Sequence, residues 1–151
     1  MSRQFNFKTQ SNVGNIGEKF FLQCYKKRGA VQTDGRIHDF IVDGNKTVEL
    51  KTDTYPMAKT PNFFMEKFGN IDKQALGGPW RAEHDKIDFF VYLFLNEKTF
   101  FWFSPKDLVA LINPIIVDMK PKIIDNKTWA ALGYTVAREL CRPVCLIEEK
   151  F

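Results

Sequence analysis

The sequence has few of the residues that build disulfide scaffolds and zinc sites. It contains three cysteines, Cys24, Cys141 and Cys145, and two histidines in 151 residues. An odd cysteine count without framework spacing argues against a disulfide-stapled secreted domain, so we expect reduced thiols. A structural zinc ion needs four ligands, and neither His38 nor His84 lies at ligand spacing from the Cys141 and Cys145 pair. A disulfide-stapled domain and a zinc-binding domain are therefore both disfavoured.

Long hydrophobic runs are also missing. The longest apolar run covers residues 89–95, far below the roughly 20 residues that span a bilayer. Residues 1–8 lack the apolar segment of a secretory signal. We therefore expect a cytoplasmic protein with no membrane partner. The sequence shows no internal repeat, linker or low-complexity segment, so we expect one domain over residues 1–151.

Aromatic residues are abundant. Fifteen phenylalanines and a hydrophobic content of 44% provide enough large apolar side chains for a packed core. The net charge is +4, a mild basic excess that suits a polyanionic partner but is also common in proteins without one. Composition therefore indicates a folded protein and only slightly favours nucleic acid as its partner.

Helical periodicity begins near residue 15. Apolar residues spaced for one helical face predict a first helix over residues 15–28, and they are Ile16, Phe20, Phe21 and Cys24. Three cations precede Gly29, the arrangement expected at a helix C-terminus. A short strand is predicted over residues 30–32.

The middle of the chain mixes strand and turn signals. Residues 63–65 predict a strand, and residues 70–76 predict a short helix that ends in a Gly77-Gly78-Pro79 loop. The near-continuous apolar run over residues 89–95 is typical of a strand covered on both faces. We expect that strand to be central in the sheet.

The next elements complete the expected fold. Residues 99–103 predict a strand, and Ser104 followed by Pro105 marks the start of a helix over residues 104–112. Residues 115–151 predict one or two further strands and a short helix. Together these elements predict an α+β (α/β) fold in which helices flank a sheet of about five strands.

The most informative segment surrounds the turn Asp43-Gly44-Asn45, whose flanking residues predict a β-hairpin. A three-residue loop pairs Val42 with Lys46 and places Asp39 opposite Glu49 on one face of the sheet. A two-residue loop would instead send the two carboxylates to opposite faces, because side chains alternate along a strand.

Glu49 and Lys51 are two residues apart, so they share a face, while Val48 and Leu50 point into the core. Two neighbouring carboxylates repel each other unless a cation lies between them, and Mg²⁺ binds through such carboxylates. In the alternative interpretation, the hairpin faces solvent and Glu49 and Lys51 are ordinary polar residues of an alternating strand.

The order of these features resembles the PD-(D/E)XK (restriction-endonuclease-like) nuclease superfamily. The motif corresponds to Asp39 followed by Glu49-Leu50-Lys51, and the resemblance covers roughly residues 15–112. His38 stands where the family motif has proline. The resemblance implies a mixed sheet flanked by helices and a metal-dependent DNA endonuclease, such as a small phage or mobile-element enzyme that cleaves duplexes or resolves branched DNA.

The resemblance also implies a role for each residue of the motif. Asp39, Glu49 and the backbone carbonyl of Leu50 would hold Mg²⁺, for which Mn²⁺ can substitute. Lys51 would help to activate or orient the attacking water. Metal bound in this way lowers the pKa of its water and neutralises charge on the phosphate.

Glu18 is a candidate for the additional acid that this superfamily often takes from its first helix. The competing interpretation is a helix cap, because Asn15 and Glu18 have the spacing of a capping arrangement. Glu66 is a weaker second candidate, and a surface acid is the simpler interpretation of it.

Basic residues on either side of the Gly77-Gly78-Pro79 loop could contact DNA phosphates, and the main candidates are Lys59, Lys73 and Arg81. Trp80 and His84 could stack on a base, although an aromatic residue in this chain belongs to the core by default. One active site cuts one strand, so double-strand cleavage would favour a homodimer. The alternative function is a non-catalytic nucleic-acid-binding domain of the same fold.

Overall fold

The computed structural model describes residues 7–54 and 62–151, with side chains from residue 12 onward. These residues form an α+β fold with four α-helices and ten strands in two sheets. The helices are α1 Phe7–Cys24, α2 Gly78–His84, α3 Pro105–Ile116 and α4 Arg138–Cys141. The strands are β1 Val31–Gln32, β2 Phe40–Val42, β3 Lys46–Asp53, β4 Asn62–Asn70, β5 Ala75–Leu76, β6 Phe89–Phe94, β7 Thr99–Phe103, β8 Lys122–Asp125, β9 Ala130–Ala137 and β10 Cys145–Lys150.

The main sheet is mixed, which confirms the predicted fold class. Its order is β1-β2-β3-β6-β7-β10, and only the β3–β6 pair in this described sheet is parallel. It has six strands rather than about five. β6 lies between β3 and β7, so the apolar run over residues 89–95 forms an interior strand as predicted.

The second sheet was not predicted. It is antiparallel, with the order β5-β4-β9-β8. The predicted helix over residues 70–76 is wrong, because β4 continues to Asn70 and a turn leads into β5. The Ile71 N–H donates to the Ala130 carbonyl at 2.8 Å, so pairing with the end of β9 replaces the helical hydrogen bonds.

The helices agree with the predictions at some ends and not at others. The first helical segment ends at Gly29 as expected, although α1 itself stops at Cys24 and a 3₁₀ turn over Lys26–Arg28 completes the segment. Gly29 has the left-handed conformation, with φ 68°. α1 begins at Phe7 rather than at residue 15, because polar residues can continue a helix without an apolar stripe. The Ser104 hydroxyl accepts from the Asp107 N–H at 3.5 Å as the predicted N-cap, and α3 extends past residue 112 to Ile116.

The predicted Gly77-Gly78-Pro79 loop is wrong as well. Gly77 is the N-cap residue of α2, and Gly78 and Pro79 form its first turn. Pro79 suits this position because the first turn of a helix leaves its N–H groups unpaired. In the described parts of the chain, no helix is both long and apolar enough to cross a membrane.

Each face of the main sheet carries its own apolar cluster, because successive residues of a strand point to opposite faces. The cluster under α1 contains Phe21, Phe40, Val48, Val91 and Trp102. The cluster on the other face, toward the second sheet and α3, contains Phe63, Phe90, Tyr92, Phe103 and Leu108. The main sheet is therefore covered on both sides.

A buried hydroxyl ties the two sheets together. The Tyr92 hydroxyl donates to Asp53 Oδ2 at 2.6 Å and accepts from the Phe64 N–H at 3.0 Å. Tyr92 lies in β6, Asp53 ends β3 and Phe64 lies in β4. Burial and the neighbouring Asp53 carboxylate raise the pKa of Tyr92 well above its ordinary value. These bonds hold β4 over the part of β3 that carries Lys51.

Candidate active site

The hairpin has the register that the sequence predicted. Val42 pairs with Lys46 and Phe40 with Val48, which confirms a three-residue loop. Asp43 and Gly44 adopt positive φ angles of 54° and 84°, as the tight turn requires. Arg28 holds the turn from outside through an ion pair with Asp43, which lowers the pKa of that carboxyl.

Asp39 lies immediately before β2, opposite Glu49 in the continuation of this register. Its N–H donates to the Val48 carbonyl at 2.9 Å, and its carboxylate accepts from the Leu50 N–H at 2.8 Å. The Asp39 side chain therefore contacts the Leu50 backbone just beyond the last paired residues of β2 and β3. Because the N–H and carbonyl of one strand residue point to the same side, the Leu50 carbonyl also points toward Asp39.

Glu49 is a partly buried acid rather than a fully exposed one. Its side chain is 20% exposed, and it lies on the face that β6 shares through Phe90. Burial, followed by the charge of Asp39, raises the pKa of Glu49 to about 8. Arg81 opposes this rise, with its Nη1 atom 4.0 Å from Glu49 Oε1. The solvent-facing interpretation of the hairpin is therefore wrong.

Asp39 is perturbed in the same direction. Burial raises its pKa, while the Leu50 N–H and the charges of Arg81 and His38 lower it. Two carboxyl groups that both resist ionisation, side by side in a partly buried site, favour either a shared proton or a bound cation.

Glu18 reaches the same site from α1. The helix crosses β3 at Gly17, where a Cβ atom would collide with the Thr52 side chain. Glu18 Oε2 accepts from Gln32 Nε2 at 2.8 Å, and burial together with the charge of Asp39 raises the Glu18 pKa. The capping interpretation is wrong, because Glu18 lies in the interior of a helix that begins at Phe7. The structure therefore brings Glu18 close to the carboxylate pair.

The donor atoms at this site suit a hard divalent cation. Within the portion of the chain that the structure describes, no three His, Cys, Asp or Glu side chains already form a cage that could hold a metal ion. Mg²⁺ does not need such a cage, because it commonly binds through one or two carboxylates and keeps several waters. Asp39, Glu49 and the Leu50 carbonyl supply oxygen donors of this kind, and the repulsion between the carboxylates would be relieved by a cation.

Lys51 lies in a cleft of about 180 Å³ between β3, β4 and α2, together with Glu49, Glu66 and Arg81. Lys51 shares its face with Glu49, as the sequence predicted, and it pairs with Tyr92 across the parallel strands. Lys51 and Glu49 therefore open into one cleft, which makes Lys51 available to a molecule bound at the carboxylate pair.

Glu66 is part of this cleft, whereas the sequence favoured a surface acid. A Cβ atom on Gly77 would lie 3.1 Å from the Glu66 Cγ, and one on Gly78 would lie 2.6 Å from the Glu66 carbonyl oxygen. Glu66 can occupy this position because Gly77 and Gly78 have no side chains. Burial raises the pKa of Glu66 and the charge of Lys51 lowers it. In the sequence, the Gly77-Gly78 pair was the signal that another segment approaches the backbone closely at this point.

Of the predicted phosphate-binding residues, the structure describes Arg81 and Lys73. Arg81 lies among the acids of the site, whereas Lys73 is exposed in the turn between β4 and β5. Lys59 lies outside the described residues. Trp80 is buried and donates to Asn113 Oδ1 at 2.9 Å, so it belongs to the core and not to a stacking surface.

Comparison of the chain with protein-family profiles, with curated proteins and with solved structures gives no match in any of the three. The resemblance to the PD-(D/E)XK nucleases thus remains a hypothesis based on residue order and spacing. Any function assigned to the protein rests on the residues of the site and on their geometry.

Proposed function

We propose that this protein is a metal-dependent endonuclease that hydrolyses DNA phosphodiester bonds. The observation that carries the proposal is the position of Asp39, which lies immediately before β2 and opposite Glu49 of β3 in the continuation of the β2–β3 register. Lys51 shares a face of β3 with Glu49. The order of these groups matches the resemblance to the PD-(D/E)XK nucleases. The partial burial of the acids supports a role beyond surface solubility, because carboxylates rarely leave water without a compensating partner.

In this proposal Asp39, Glu49 and the Leu50 carbonyl would hold Mg²⁺ or Mn²⁺. A cation held there would lower the pKa of a coordinated water and neutralise charge on the phosphate. The Leu50 N–H keeps the Asp39 carboxylate oriented through its 2.8 Å hydrogen bond. Lys51 orients the attacking water, and Glu18 stabilises the cation site from α1.

The reaction consumes one water for each bond broken. The water oxygen forms a new bond to phosphorus while one P–O ester bond breaks. One proton of the water leaves toward solvent or a base, and the departing alkoxide takes up a proton to become a hydroxyl. The products are a phosphate monoester and a free hydroxyl, with no oxidant or reductant required.

DNA is the proposed partner, and the net charge of +4 is compatible with it. Cleavage of both strands would require two active sites, so a homodimer belongs to the proposal for duplex substrates. A non-catalytic nucleic-acid-binding domain is the weaker alternative, because acids that face a polyanion reduce affinity unless a cation offsets them.

The test is incubation with linear, nicked, single-stranded and four-way-junction DNA, and with matched RNA, in Mg²⁺, Mn²⁺, Ca²⁺ or EDTA. We expect cleavage of DNA in Mg²⁺ or Mn²⁺ and none in EDTA. Asp39→Asn and Glu49→Gln should abolish it, whereas Glu83→Gln, at an exposed acid of α2, should not. A folded wild type that cleaves no substrate with any metal would overturn the proposal.

A further inference from the structure

Arg81 has contacts that distinguish it from a surface cation. Its Nη1 atom lies 4.0 Å from Glu49 Oε1, its Nε atom lies 3.4 Å from Asp85 Oδ2, and its Nη2 donates to the Arg36 carbonyl at 3.0 Å. The Arg36 carbonyl lies on the segment that leads to Asp39. One guanidinium thus joins α2, β3 and the approach to β2.

The fold holds Arg81 in place through its neighbours. Trp80 and Ala82 are both buried, and the Trp80 indole is bonded to Asn113 of α3. The backbone of α2 is therefore fixed on either side of Arg81, by the bond from Trp80 to α3 and by the burial of Ala82. The Arg81 side chain itself is 39% exposed, so a molecule from solvent can reach it.

The positive charge of Arg81 also affects the carboxylate pair. It lowers the pKa of both Asp39 and Glu49, so it acts as a counter-cation to the carboxylate pair. The distance of 4.0 Å to Glu49 exceeds that of a hydrogen bond. A guanidinium has five N–H donors. Because Glu49 is too far away for a hydrogen bond, it does not occupy the N–H groups of Arg81 Nη1.

We propose that Arg81 is a catalytic residue of the proposed nuclease, binding a non-bridging oxygen of the scissile phosphate. This inference rests on the proposed function and adds a substrate contact to it. Guanidinium groups match phosphate oxygens in geometry, and fixed donors stabilise the charge that develops in the transition state. Asp85 and the Arg36 carbonyl position the guanidinium for this contact.

The proposal differs from a purely structural ion pair in what it predicts. A structural role would lower stability when Arg81 is replaced and would leave the cleavage rate of the folded fraction unchanged. A transition-state contact would lower the rate of bond cleavage more than it lowers DNA affinity. Arg81→Lys separates the two roles further, because lysine keeps the charge and loses the planar fork.

The experiment compares Arg81→Gln and Arg81→Lys with Arg142→Gln. Arg142 is a matched control because it is also an ion-paired arginine, its side chain is 40% exposed, and its partner Glu148 lies in β10, away from the carboxylate pair. Each variant is assayed by single-turnover cleavage in Mg²⁺, by DNA binding in Ca²⁺ and by thermal melting. We expect the cleavage rate to fall about 10²-fold or more in Arg81→Gln, the scale of losing a transition-state donor.

Arg81→Lys should lose about tenfold or more, since it lacks the bidentate geometry. Arg142→Gln should stay within about threefold of wild type, and DNA affinity in Ca²⁺ should change by less than the rate in both Arg81 variants. If wild type cleaves DNA and a folded Arg81→Gln does so at the same rate, or Arg142→Gln loses as much, this inference fails and the nuclease proposal stands. If wild type cleaves nothing, the nuclease proposal fails and Arg81 loses its catalytic role with it.

Discussion

Glu49→Gln should stabilise the metal-free protein at neutral and mildly alkaline pH. The pKa of Glu49 is about 8 in the folded protein against an ordinary value of 4.5. A group whose pKa is raised by folding makes its full contribution to stability below its unfolded-state pKa. This contribution is lost as the pH rises through its folded-state pKa. Between pH 4.5 and 8 the Glu49 carboxyl is ionised in the unfolded chain and still largely protonated in the folded protein, so the wild type loses stability as the pH rises. The amide of the variant does not ionise in either state.

The size of the effect follows from the two pKa values. Their difference, at about 1.4 kcal/mol per pKa unit, corresponds to about 5 kcal/mol. Because the side chain keeps 20% of its exposure, water screens part of this cost, and we expect about 2 to 3 kcal/mol at pH 8. The variant should therefore be more stable than wild type at pH 8 and nearly equal to it at pH 4.5.

The assay is urea unfolding in EDTA at several pH values between 4.5 and 8, with Glu83→Gln as the control at an exposed acid. The same series in Mg²⁺ should narrow the difference, because a bound cation stabilises the ionised carboxylate. The reasoning would be refuted if Glu49→Gln were less stable than wild type at pH 8, or if the two proteins lost stability in parallel as pH rises.

Three further predictions test other parts of the site. Lys51→Ala should slow single-turnover cleavage by about 10²-fold, whereas Lys106→Ala, at an exposed position of α3, should not; equal rates in both variants would remove Lys51 from the catalytic group. Mg²⁺ at 100 times its dissociation constant should stabilise the wild type by about 2.7 kcal/mol and so raise its melting temperature; an equal shift in Asp39→Asn would place the metal elsewhere. Tyr92→Phe should cost about 1 to 3 kcal/mol in urea unfolding, because both partners of its hydroxyl lose a bond; unchanged stability would mean that this link between the sheets is unimportant.

Local signals identified several elements correctly. Ser104 and Pro105 mark the start of α3, and Gly29 marks the end of the first helical segment. The Asp43-Gly44-Asn45 turn predicted the hairpin register, and the register placed Asp39 opposite Glu49. These predictions succeed because caps, tight turns and strand alternation depend on residues close together in the chain.

Other features depend on contacts between distant residues. The second sheet forms because β4 pairs with β9, about 70 positions along the chain, a pairing that no local pattern encodes. The helix predicted over residues 70–76 fails for the same reason, since the backbone there pairs with Ala130 instead. The capping interpretation of Glu18 failed because α1 starts at Phe7, where the sequence has no apolar stripe.

The sequence by itself identified Asp39 and Glu49 as the acid pair and limited their placement to two hairpin registers, because side chains alternate along a strand. The structure has the three-residue turn, whose register, continued by one position, places Asp39 opposite Glu49. Only the tertiary structure decided their environment. Burial raises the pKa values of Asp39 and Glu49, α2 places Arg81 beside Glu49, and Glu66 lies in the cleft beside Gly77. Desolvation and through-space charge depend on how separate elements pack, and short sequence patterns do not record that packing.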